Sequence, residues 1–302
     1  MTAEIQTLLA EVRARSPRAI GRAISIVEDG DPAAGEILEA LEHPSVEEAI
    51  VLGVTGPGGA GKSTLTQALI THYRAAGRRV GVVAIDPSSS VSGGALLGDR
   101  IRMMRHAVDE DVVIRSMATR GRTGGLCAAA GAAVRVMAYS GCGIVVLETV
   151  GVGQADLEVV GLADLTALVV APGLGDDVQA MKAGLIELVD AIVVNKADQP
   201  GADAVAALMQ ALAEASGRKA YCTSAVDGRG VPELADGLVA LYEALREGGR
   251  VAERRRNARY AEVIDWALEL LRPEVVSWVE ALHPRGGDPR ALARAVIAKM
   301  RS

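Results

Sequence analysis

From residue 50 onward the chain alternates short, uninterrupted apolar runs with longer amphipathic stretches. The runs fall at 50–54, 80–85, 112–114, 144–147, 167–170, 191–194 and 220–223. Runs this short and this apolar predict strands buried on both faces, and the helical spacing between them predicts covering helices. The expected fold class is therefore α/β: a mainly parallel sheet with helices on both faces and a ligand site at the carboxyl ends of its strands. Residues 3–43 read as helices, with Ile5, Leu8, Leu9 and Val12 on one apolar stripe expected to pack on the sheet. Pro17 and Asp31-Pro32 act as punctuation. After about residue 248 the pattern becomes helical again: a basic run leads into one helix, a second helix begins near Pro273, and a last one runs to Met300. Tyr260, Val263, Trp266, Ala267 and Leu270 share a face by helical spacing, available to the sheet or to a second subunit. Arg254, Arg255 and Arg256 read as the solvated start of that helix.

The first apolar run ends in GPGGAGKST, residues 56–64. This fits GxxxxGK[ST], the phosphate-binding loop between a strand and a helix. Gly56, Gly58, Gly59, Ala60 and Gly61 let backbone N–H groups turn toward phosphate oxygens. Lys62 adds a positive charge, Ser63 offers a hydroxyl to magnesium, and Thr64 completes the set of candidate nucleotide-binding residues.

Three further segments sit at predicted strand ends. Asn195, Lys196 and Asp198 spell NKxD after the run 191–194. A carboxylate there accepts hydrogen bonds from guanine's ring N–H and amino group, whereas adenine has no matching donors, so the pair of motifs points to GTP over ATP. Thr223, Ser224 and Ala225 follow the last short strand and offer a backbone N–H to the guanine carbonyl. Asp86 ends the second run and opens a Ser/Gly-rich loop that leads to Asp99. Both are candidates for a magnesium shell, and Asp99 equally suits a helix N-cap. Glu148 ends the fourth run and opens ETVGVGQ, the place of a metal-shell acid in nucleotide hydrolases. Gly151 or Gly153 is a candidate for a γ-phosphate contact, and Gln154 for orienting water.

Composition narrows the classes. Half of the 302 residues are hydrophobic, yet Phe is absent and aromatics are 2%, so the core must be packed from Ala, Val, Leu and Ile. The same scarcity removes the stacking platforms of a single-strand nucleic-acid binder, and a formal charge of −6 argues against a nucleic-acid surface. Cys127, Cys142 and Cys222 are scattered, which suits reduced thiols and a cytoplasmic location. The N-terminal stretch lacks the apolar core of a signal peptide, and no long uncharged apolar run predicts a membrane span.

Taken together, GPGGAGKST, AIDPSSSVSGGALLGDRIRM, TRGRTGGL, ETVGVGQADLEV and GDDVQAMKAGLIELVDAIVVNKAD resemble the MeaB/ArgK/MMAA family of GTPases, chaperones of adenosylcobalamin-dependent acyl-CoA mutases. The resemblance covers most of residues 50–230. It implies a SIMIBI-type P-loop sheet over 47–248 and helical extensions at 1–46 and 249–302, the latter a dimerisation arm in a homodimer. It also implies GTP/GDP and Mg2+ as ligands, with Asp86, Asp99 and Glu148 around the metal. A mobile switch over 175–182 would face the mutase, with Gln179 and Lys182 as candidates for activating hydrolysis. The chain departs from the family pattern at Ser116-Met117-Ala118 and in APGLGDD. Two rival classes are a P-loop kinase for a small molecule, disfavoured by NKAD, and a nickel-type metallochaperone GTPase. The latter is disfavoured because His43, His72, His106, His283 and the three cysteines form no ligand cluster.

Overall fold

The computed structural model describes residues 1–86, 109–118, 125–149, 154–174, 184–282, 286 and 288–300. The seven expected runs are seven strands: β1 (Ile50–Thr55), β2 (Val80–Asp86), β3 (Val112–Ala118), β4 (Ile144–Thr149), β5 (Leu165–Val170), β6 (Ala191–Val194) and β7 (Lys219–Cys222). They form one sheet in the order β3-β2-β4-β1-β5-β6-β7, and all its pairings are parallel. Strand β4 returns between β1 and β2. Its penultimate residue, Glu148, is therefore in register with Val54 of β1, just before the phosphate loop. This crossing of strand order places residues distant in sequence around one crevice.

Alternation along the strands feeds two cores. Ile50, Leu52, Val54, Val82 and Val146 face α5 (Lys62–Ala75) and α10 (Val231–Glu247), packing against Leu65, Leu69, Leu234 and Leu238. Val51, Val83, Val145 and Leu147 face the opposite side. They meet α6 (Gly125–Tyr139) and α7 (Gln154–Leu162), and the N-terminal helices α1 (Ala3–Arg13), α2 (Pro17–Glu28) and α3 (Ala34–Ala40) extend the same cluster by packing on one another and on α6. Ile5, Leu8, Leu9 and Val12 are all buried there. Thr2 and Ser16 cap α1 and α2 through side-chain oxygens, and Pro17 occupies the first turn of α2, where its missing N–H costs nothing. A short helix α4 (Pro44–Glu48) leads into β1. Farther along the sheet, α8 (Leu185–Leu188) and α9 (Ala202–Ala215) cover Leu168, Val170, Ile192 and Val194.

The C-terminal helices differ from expectation. One helix, α11 (Arg250–Leu282), runs through Pro273, where a break was expected, and α12 (Pro289–Met300) follows. An internal proline costs a helix about 3 kcal/mol, and 33 residues of helix carry through it. The face presented to the sheet domain is also inverted. Val251, Arg254, Arg255, Glu262 and Trp266 turn inward, while Tyr260, Val263, Ile264, Leu268, Leu270 and Leu271 are exposed. The expected stripe is thus split: Trp266 packs on the core, and Tyr260, Val263 and Leu270 do not.

Arg254 and Arg255 are not a solvated helix start. Arg254 bonds both oxygens of Asp190 at 2.7 and 2.8 Å. Arg255 bonds both oxygens of Asp164 at 2.8 and 2.7 Å and also the carbonyls of Glu47 and Ala49. Burial works against the Arg255 charge, but the hydrogen bonds and charge of Asp164 outweigh it and raise the guanidinium pKa. The same Asp164 accepts the Val51 backbone N–H at 2.9 Å. These pairs fasten the arm to the amino ends of the strands. Among the described residues no helix is long and apolar enough to cross a membrane.

Candidate functional site

The phosphate loop leaves β1 through backbone that only glycine tolerates. Gly56 has φ +137, and a Cβ there would lie 2.1 Å from the Val169 carbonyl oxygen, so the loop is pressed against β5. Gly61 has φ +88, and its Cβ would lie 2.5 Å from Asn195 Nδ2. That close approach lets α5 start at Lys62 with its free N–H groups at the loop, a ready anion site. Lys62 is 6% exposed, and its Nζ donates to the carbonyls of Gly56 and Pro57 at 2.6 and 3.0 Å. The ammonium is thereby held across the loop. Ser63 Oγ donates to Glu148 Oε1 at 2.5 Å, joining the start of α5 to the end of β4.

The NKxD segment is built into the same body. Asn195, 1% exposed, donates from Nδ2 to the Ala60 carbonyl at 3.0 Å and accepts at Oδ1 from Thr223 Oγ1 and the Ala225 N–H, both at 3.2 Å. One side chain thus links the phosphate loop to the turn after β7. Ser224 Oγ donates to Asp198 Oδ1 at 2.7 Å, which orients the carboxylate and leaves it acceptor capacity for further donors. Lys196 is held at φ +57, a conformation uncommon for a residue with a side chain, between Asn195 and the backbone bond from Ala197 to Thr223.

A cavity of about 1050 Å³ opens over these parts, with Gly59, Lys62, Thr64, Thr149, Lys196 and Ala225 among its walls. Its long wall is α5 and its far rim is the Ala225–Gly228 turn. Asp227 on that rim is held below the usual carboxylate range, chiefly by the Arg229 backbone N–H, with the Arg229 guanidinium adding to it. The arrangement can therefore hold a chain of phosphates at the glycine end and a base carrying N–H donors at the other.

Of the residues expected from the sequence, Gly56 to Thr64, Glu148, Asn195, Lys196, Asp198, Ser224 and Ala225 are brought together. Asp86 closes β2, whose Ile85 is level with Thr149 of β4, and Gln154 opens α7. Asp99, Gly151, Gly153, Gln179 and Lys182 lie outside the described residues. One residue escaped the sequence reading. Asp156, 5% exposed, accepts at Oδ1 from Thr55 Oγ1 at 2.5 Å and Thr149 Oγ1 at 2.7 Å. Its only signal was an acid in the first turn of a helix, where acids are common.

Residues 20–281 match the family described as methylmalonyl Co-A mutase-associated GTPase MeaB. This chain belongs to the MeaB family. It is a GTPase and binds guanine nucleotide. A protein of Pyrococcus abyssi named as a GTPase is 44% identical over 268 residues, covering 86% of this chain and 82% of its own. The mouse methylmalonic aciduria type A homolog is 32% identical over 243 residues, 77% of this chain and 57% of that protein. In fold, the chain is similar to a crystal structure of the LAO/AO transport system kinase, with a TM-score of 0.71 at 23% identity, over 100% of this chain and 99% of that one. The seven-stranded parallel sheet of this MeaB-family GTPase is that of a P-loop NTPase of the SIMIBI type.

Proposed function

We propose that this GTPase uses its nucleotide state to gate cofactor loading and protection at an adenosylcobalamin-dependent acyl-CoA mutase of the methylmalonyl-CoA type. The observation that carries the nucleotide half of this reading is the Asn195 side chain, which joins the phosphate loop to the turn after β7. Bound GTP would thus be read at both ends by one rigid unit. The mutase half is supported by the family match and by the mouse relative.

In this reading Lys62 and the backbone N–H groups of Gly58 to Ser63 neutralise and orient the phosphates, and Asp198 and Ala225 select guanine. The Ser63 hydroxyl and the Glu148 carboxylate, 2.5 Å apart, are oxygen donors of the kind magnesium takes and would hold Mg2+, with Asp86 and Asp99 assigned to the same shell. Held there, the ion would supply charge neutralisation at the phosphoryl group. Gln154 and Lys182 are assigned to hydrolysis, and partner binding completes the site, so that turnover of the protein alone is slow.

The exposed apolar face of α11, including Val263, Ile264, Leu268 and Leu271, supports a homodimer in which the 249–302 arm pairs with a second copy. A surface of this kind on one helix favours association.

The test is GTP turnover with and without a B12-dependent mutase carrying its cofactor. The reading expects acceleration by the loaded mutase, and turnover unchanged by any such mutase would overturn it.

A further inference from the structure

We infer that Asp156 is a positioning residue for GTP hydrolysis, its carboxylate locking the end of β4 to the end of the phosphate-loop strand. The inference rests on the reading of the large cavity as the GTP site.

Three buried residues carry it. Thr55 is the last residue of β1, directly before Gly56, and Thr149 is the last residue of β4, directly after Glu148. Both are fully buried, and both hydroxyls converge on Oδ1 of Asp156, at 2.5 and 2.7 Å. An ionised carboxylate only accepts, and a threonine hydroxyl has one proton to donate. Both hydroxyl protons are therefore committed to Asp156, and the orientation of both side chains follows from one acid. Hydrogen bonds shielded from water in this way are electrostatically stronger than exposed ones.

The consequence lies at the cavity. Thr149 is one of its walls, and its neighbour Glu148 holds Ser63 at the start of α5. The Thr149 bond holds the end of β4 against the first turn of α7 beside the phosphate loop. Helix α7 cannot slide to relieve this. It is seated on β1 at Gly53, where a Cβ would meet Val159 Cγ1 at 2.9 Å and Thr166 Oγ1 at 3.0 Å. Asp156 thus registers β1, β4 and α7 against one another without itself lining the cavity.

The test uses the full-length protein, its Asp156→Ala, Asp156→Asn and Thr149→Val variants, and the Asp156→Ala/Thr149→Val double variant. For each, GTP turnover (kcat and KM) and the affinity for a fluorescent GDP analogue are measured. A misplaced group of this kind is expected to lower kcat about tenfold or more in Asp156→Ala and Thr149→Val. GDP affinity should stay within about twofold, and the double variant should be no slower than Asp156→Ala alone. Asp156→Asn, whose amide oxygen can accept both bonds, should recover most of the rate. Should Asp156→Ala not fold, Thr149→Val keeps its side-chain shape and decides the matter by itself. Unchanged kcat in Thr149→Val, or loss of GDP affinity in step with kcat, would overturn the inference while leaving the GTP-site reading intact. A parent protein that neither binds nor cleaves GTP would overturn both.

Discussion

Asn195 Nδ2 donates to the Ala60 carbonyl at 3.0 Å, while its Oδ1 receives the Ala225 N–H at 3.2 Å. The residue that opens the NKxD segment therefore also braces the glycine-rich loop. Replacing it with alanine strips partners from a buried carbonyl and a backbone N–H, each of which costs about 1–3 kcal/mol when left unsatisfied. Asn195→Ala is expected to weaken GDP and GTP by a similar factor, on the order of tenfold to a hundredfold. Fluorescent-nucleotide titration checks this. Loss confined to one of the two nucleotides would contradict the bracing role.

The arm is anchored by charge rather than by its apolar face. Asp164 is 1% exposed and binds Arg255 through both oxygens as well as the Val51 N–H. Breaking a buried pair by removing one partner typically costs 3–5 kcal/mol because the other charge is left uncompensated. With Arg255 partly exposed, the loss from Asp164→Ala should fall near the lower end, roughly 3 kcal/mol. Urea denaturation measures it. A loss below about 1 kcal/mol would mean that the arm is held by something else.

Acidification should tighten the contact between α7 and α11. Glu158 on α7 is pushed above the usual carboxylate range by burial and then by the charge of Asp265 on α11. Asp265 is itself raised by burial and then by Glu262, which Arg135 and Arg259 engage. A carboxylate with a raised folded pKa binds its proton more tightly in the folded state. Stability therefore falls as pH rises from the unfolded pKa through the folded one, and the penalty is fully present above that window. Glu158→Gln removes the penalty. The variant should melt above the parent at neutral pH, with the difference vanishing toward about pH 4. A difference independent of pH would exclude this linkage.

Much of the molecule was legible because its chemistry demands residue identity at fixed spacing. A doubly covered parallel strand must be continuously apolar, so β1, β4, β5 and β6, buried along their whole length, stood out, while the edge strand β7, exposed at both ends, showed only as a short run before a turn. GPGGAGKST and NKAD were legible for the same reason. What escaped depends on topology. Asp156 acquires its role only because β4 returns beside β1, which brings Thr149 and Thr55 to one carboxylate. Arg254 and Arg255 looked like solvent charges because their partners Asp190 and Asp164 lie 64 and 91 residues away. The helical stripe around Tyr260 was periodic as read, yet α11 turns its ion pairs inward and leaves most of that stripe outside. Pro273 signalled a stop by its local cost, which the rest of a 33-residue helix outweighs.

Nucleotide selection by Asp198 tests the whole account most directly. Its carboxylate is oriented by Ser224 at 2.7 Å and matches the two donors of guanine. Xanthine carries a carbonyl in place of the guanine amino group, which suits an amide. Titrating GTP, ATP and xanthosine triphosphate into the parent and into Asp198→Asn should show GTP well ahead of ATP in the parent. In the variant GTP should weaken about a hundredfold or more, with xanthosine triphosphate binding more tightly than GTP. A parent that binds ATP as well as GTP, or a variant that keeps the parent's GTP affinity, would contradict it.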